Sequence, residues 1–240
     1  MNDRKKVFSL LMLLITFLLG AGAAVLRGFQ LTRSFDSNAL ISPGDPVTIL
    51  LMVVSAAFAV AAFAFVRQRV AKADAPSESR RLGIVWFLVQ FAALSFLFSS
   101  SVIELMNGFS STADTRWSSV CLGLLGLIST FSLLMIALNI NKHPSGSAAG
   151  FWATLPVFWS CLMLVTDFWG QAGVPVRSAY VYGMFGAVFC TIALYSVAGF
   201  FFGRGKPAST LFYAYASIFF SILTLGGYLL AAQLANRYIP

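Results

Sequence analysis

Along this chain, apolar runs long enough to cross a bilayer alternate seven times with short polar stretches. The hydrocarbon core of a membrane is about 30 Å thick, so a spanning helix needs roughly 20 mainly apolar residues at 1.5 Å rise each. The pattern predicts spans at about 7–26, 47–66, 82–106, 117–140, 151–169, 180–202 and 208–234. The expected fold is an all-α membrane protein, a bundle of seven transmembrane helices making one polytopic domain over residues 1–240.

The polar stretches refine that outline. In 27–46, read as an outer connection, Pro43, Gly44, Asp45 and Pro46 make a turn and a helix start, with Asp45 as cap and Pro46 in the first helical turn. The second span is rich in alanine (Ala56, Ala57, Ala59, Ala61, Ala62, Ala64). Small residues let helix backbones approach closely, which predicts a helix packed on more than one side. Gly203-Arg204-Gly205-Lys206-Pro207 predicts a tight basic turn. It is not a phosphate loop, because the first glycine of such a loop would fall at Phe200.

Charge then orients the bundle. The longest polar run, 67–81, carries Arg67, Arg69, Lys72, Arg80 and Arg81 against Asp74 and Glu78. Basic loops stay cytoplasmic, and holding this one inside leaves eleven of the sixteen Lys and Arg residues on inner segments. The five outer ones are Arg27, Arg33, Arg116, Arg177 and Arg237. The expected topology is N-terminus cytoplasmic and C-terminus outside, in the cell membrane. The basic start, the apolar run and Ala21-Gly22-Ala23 also fit a cleaved signal peptide, but the run continues to Leu26, which favours a retained helix.

Composition excludes a soluble domain: 59% of residues are hydrophobic and 10% charged, against about 25% charged in soluble folds. The net charge of +8 does not point to nucleic acid, because the basic residues flank spans and do not gather on one amphipathic face. Cys121, Cys161 and Cys190 lie inside apolar runs without CxxC spacing, so buried free thiols are expected. One histidine, His143, makes no metal site, and the hydrolase, zincin and P-loop motifs are missing from the sequence. No cofactor and no enzymatic activity are expected. An intramembrane lipid enzyme with Glu104 or Asp167 as acid or base is the weakest reading, for lack of a nucleophile or metal ligands.

The constellation that remains is polar residues inside spans three and five. At 100° per residue, Gln90, Ser101 and Glu104 fall within about 60° of one another. Pro156, Ser160 and Asp167 fall within about 40°. These faces predict a small-solute binding or transport site formed by Gln90, Ser101, Glu104, Ser160 and Asp167 and facing outward. Its rim would hold Trp117, Trp159, Trp169 and Tyr180 beside Arg27, Arg116 or Arg177. The alternative is a helper or sensor subunit whose Arg67, Arg69, Lys72, Arg80 and Arg81 dock a cytoplasmic partner or anionic headgroups.

The pattern L-R-G-F-Q-L-T-R-S-F-D at Leu26 to Asp36, the S-P-G-D-P that follows, and A-G-F-F-F-G-R-G-K-P at Ala198 to Pro207 resemble a family of small bacterial integral membrane proteins without known activity. The resemblance implies a helical membrane protein of bacterial origin, and no substrate or site residue.

Overall fold

The computed structural model describes residues 2–34, 44–69, 84–110, 116–139, 147–172 and 180–238. They form seven helices: α1 (Asn2–Arg33), α2 (Pro46–Arg69), α3 (Ile84–Ser110), α4 (Arg116–Asn139), α5 (Ser147–Ala172), α6 (Val181–Phe201) and α7 (Pro207–Tyr238). Each contains a segment long and apolar enough to cross a membrane. Large apolar side chains cover the outward surface, Phe96 at 79% exposure among them, as expected where lipid is the solvent.

One boundary differs from the sequence expectation. The first span does not stop at Leu26: α1 runs to Arg33 as a 32-residue helix about 48 Å long. Arg27 and Arg33 therefore belong to a helix and not to an outer connection. The start of α2 is as expected. Gly44 turns the chain at φ 79, Asp45 caps, and Pro46 opens the helix, where its missing N–H costs nothing.

The helices pack as two compact units. Unit 1 contains α1, α2, the first half of α6 and most of α7. Its core is a run of aromatic rings. Phe58 of α2 stacks on Phe219 of α7 with centroids 4.1 Å apart, and Phe189 of α6 stacks on Phe220 at 5.6 Å. Helices α1 and α7 approach through small residues, and a Cβ on Gly226 would stand 2.7 Å from that of Ala24.

The alanine-rich α2 is not packed on several sides. Thr48, Leu51, Ser55, Phe58, Ala62 and Val66 are buried, a single stripe at three- and four-residue steps. Ala56, Ala57 and Ala61 lie off that stripe and are exposed. The cysteines also depart from expectation: all three are free, but Cys121 and Cys161 are exposed and Cys190 is half-buried. An apolar span has an outward face, and residues on it are covered by lipid, not by protein.

Unit 2 contains α3, α4, α5 as far as Asp167, α6 from Thr191, and the first turn of α7. Along α4 the buried positions Val120, Gly123, Gly126, Ser129 and Ser132 recur every third residue. Steps of three fall short of a turn by about 60°, so this stripe winds around the helix. Its glycines meet α3 and its serines meet α5. Ser129 Oγ donates to the Leu155 carbonyl at 3.2 Å, and Ser132 Oγ donates to the Trp152 carbonyl.

The second of these bonds answers a defect in α5. Pro156 lies inside the helix and has no N–H, so the carbonyl four residues earlier, that of Trp152, loses its helical donor. Ser132 supplies one from the neighbouring helix. Ser132→Ala should lower stability by about 1–3 kcal/mol by leaving that carbonyl without its donor. Thermal unfolding in detergent checks this, and a variant that unfolds together with the wild type would refute it.

Candidate functional site

Unit 1 holds a buried polar chain that joins α1 to α2. Arg27 is 1% exposed although it lies in an apolar span. Gln30 and Thr48 are buried beside it. Arg27, Gln30 and Ser34 share one face of α1, within about 60° at 100° per residue, and that face turns inward.

The hydrogen bonds run in one direction. Arg27 Nη1 donates to Gln30 Oε1, and Gln30 Nε2 donates to Thr48 Oγ1 at 2.7 Å. The Thr48 hydroxyl donates to Asp45 Oδ2 at 2.6 Å, and the Thr48 backbone N–H reaches the same oxygen at 2.8 Å. Two neutral groups thus link a guanidinium to a carboxylate, each accepting on one side and donating on the other. Such an ordered chain polarises its members and fixes their orientation.

Other residues close around the guanidinium. Its carbon sits 4.9 Å from the centre of the Tyr182 ring, within cation–π range, and Tyr228 of α7 lies within electrostatic reach. Gly227 of α7 covers the stem of Arg27; a Cβ there would stand 2.8 Å from Arg27 Cβ. No side chain larger than hydrogen fits at this position without moving the arginine.

Thr48 holds the Asp45 carboxyl below the ordinary carboxylate range, chiefly through its hydroxyl and further through its N–H, against an opposing desolvation. Because the folded state prefers the ionised form, its stabilising contribution is complete above the unfolded pKa of about 4 and is lost as pH falls through the lowered folded value. The unfolding temperature in detergent should therefore drop below about pH 4 in the wild type, and less in Asp45→Asn. Equal acid sensitivity of the two proteins would count against this role for Asp45.

The residues expected from the sequence fall as follows. Ser101 and Ser160 are buried in unit 2, and their hydroxyls donate to carbonyls of their own helices, Leu97 at 2.7 Å and Val157 at 2.9 Å. Ser101 packs against Gly126, where a Cβ would stand 2.9 Å from its own, so it serves the α3–α4 contact. Gln90, Glu104 and Asp167 are half-buried on the same unit. Of the aromatic rim, Trp117 and Trp169 are 75% and 72% exposed, but Trp159 is half-buried with its Nε1 directed at Gly126. Arg67 is exposed at the end of α2, and Arg69 belongs to the same helix. Lys72, Arg80, Arg81, His143 and Arg177 lie outside the described residues.

The Arg27 chain is invisible to a sequence reading that closes the first span at 20 residues. Its signal is the three-residue spacing of Arg27 and Gln30, which continues the face of Ala23 and Ala24.

Fold and site together define a multi-pass, all-α membrane protein with an arginine buried inside one of its spans. No family model matches the chain, and neither a curated protein nor a solved structure is detectably similar to it.

Proposed function

We propose that this is a non-catalytic protein of the cell membrane that binds or transports a small anionic solute, with Arg27 as the recognition group. The observation that carries this reading is the burial of a permanently charged guanidinium in an apolar span. An ionised residue there costs up to roughly 2.5–3.5 kcal/mol on insertion scales, and residues retained at that cost commonly serve ligands or ions. Guanidinium is suited to carboxylate or phosphate, which it grips with paired donors. Gln30 and Tyr182 lie against the guanidinium, so a guest would replace the Gln30 amide oxygen as its acceptor.

The orientation proposed has the N-terminus in the cytoplasm and the C-terminus outside. With Arg27 and Arg33 inside the first span and Arg67 inside the second, the outer tally of basic residues falls from five to three and the inner tally from eleven to ten.

A thermal-shift screen in detergent against small carboxylates and inorganic phosphate tests the reading, comparing wild type, Arg27→Met and Glu104→Gln/Asp167→Asn. Stabilisation that is lost in Arg27→Met and kept in the acidic double variant is the expected result. The opposite pattern would move the solute to Glu104 and Asp167. Uniform curves across the panel would overturn solute binding.

A further inference from the structure

We propose that the cavity at the α6–α7 turn is a binding site for an anionic phospholipid, its phosphate held by Arg204 and Lys206 and an acyl chain lying along Phe158 and Phe202. The cavity belongs wholly to unit 2 and encloses about 900 Å³, within the range of ligand clefts. Its two ends differ in chemistry. Arg204, Lys206 and Ser209 stand at one, beside Phe202, and Phe158 and Tyr195, about two turns further along α5 and α6, line the other. None of the residues lining it is acidic.

The basic end is built by the backbone. Gly203, at φ 69, ends α6 in a left-handed turn in which the Arg204 N–H bonds the Gly199 carbonyl at 2.9 Å and the Gly203 N–H bonds that of Phe200 at 3.1 Å. This double closure folds Arg204 back over the last turn of α6, where the helix dipole favours cations. Gly205 lies against the Phe200 ring, where a Cβ would stand 2.7 Å from Cε1. Phe202 is seated on Gly150 of α5, where a Cβ would stand 2.7 Å from the ring. The turn has one shape, and Arg204 and Lys206 are both exposed from it.

The apolar wall selects the occupant. Phe158 is 63% exposed on a spanning helix, so it faces lipid and not water, and Phe202, 53% exposed, follows directly on the end of α6. A free anion would use the basic end and leave this wall empty. A phospholipid uses both: phosphate at the two cations and chain along the rings. Basic pockets between helices at a membrane surface hold anionic headgroups on the same electrostatic grounds.

The test titrates the full chain in neutral detergent with phosphatidylglycerol, phosphatidylcholine or glycerol 3-phosphate and reads the unfolding temperature. Wild type, Arg204→Gln/Lys206→Gln, Ser196→Phe (which fills the cavity without touching its charges) and Arg33→Gln, an exposed arginine of α1, are compared. Phosphatidylglycerol should stabilise the wild type and Arg33→Gln beyond phosphatidylcholine. It should bind the double variant at least about tenfold more weakly, the loss expected for a charge-assisted hydrogen bond, and Ser196→Phe more weakly through loss of space for the chain. Equal shifts with the two lipids, or a preference that survives the double variant, would overturn the proposal. Glycerol 3-phosphate matching the lipid would make the site one for a free anion, and a preference kept by Ser196→Phe would remove the acyl-chain seat.

Discussion

Arg27→Ala should destabilise the protein by about 2–4 kcal/mol, whereas Arg27→Met should stay within about 1 kcal/mol of wild type. Alanine removes the stem that packs under Gly227 and opens a cavity, and deletions of that size in a core cost about 2–5 kcal/mol. It also deprives Gln30 Oε1 of its donor, at about 1–3 kcal/mol for a buried acceptor. Against these losses stands the relief of a buried charge. The relief is below the roughly 2.5–3.5 kcal/mol of a mid-span arginine, since Arg27 lies within two turns of the end of α1. Methionine keeps the stem volume and takes the same relief, so its balance closes near zero. Detergent unfolding of the two variants separates the terms. A Met variant as unstable as the Ala variant would mean that the charge itself holds the fold, and the burial of Arg27 would then need no ligand to explain it.

Gly123→Val should be the most damaging single change in unit 2. A Cβ at this position would stand 2.8 Å from the Leu105 backbone nitrogen and 2.9 Å from the Ser101 carbonyl oxygen. Those are main-chain atoms of α3 and cannot swing aside, so the helices must separate. Even Gly123→Ala should cost about 1–3 kcal/mol through overpacking. Helix propensity alone predicts the reverse sign, since alanine in place of glycine gains about 1 kcal/mol in a helix interior. Gly22 gives the internal control: a Cβ there would meet nothing within 4 Å, and Gly22→Ala should be neutral or stabilising. Unfolding temperatures that rise in both alanine variants would show that α3 and α4 are not in close contact.

Seven apolar runs are enough to specify seven helices, because length and hydropathy alone decide whether a segment can span. The cap at Asp45 and the turn at Gly203 are legible as well, since each depends on local chemistry at named positions. What lies beyond reach is the direction in which each face turns. Ser101 and Glu104 share a stripe on α3, but only the glycines of α4 reveal that Ser101 is consumed in packing. The alanines of α2 look like contact residues until the buried stripe is seen to pass beside them. Arg27 falls in an outer connection by the 20-residue rule, which has no means of extending a helix whose far end is polar. The inward turn of that end depends on Thr48 and Tyr182, which are distant in sequence.

The Pro156–Ser132 bond has a consequence for biogenesis. A chain enters the membrane from its N-terminus, so α4 precedes α5 into the bilayer. Had α5 come first, its Trp152 carbonyl, in the first turn of the span, would have lacked this donor, at a cost of about 1–3 kcal/mol. Synthesis order removes that obstacle: the hydroxyl is already waiting when the proline arrives, and the two segments settle as a hairpin, the earlier one chaperoning the later.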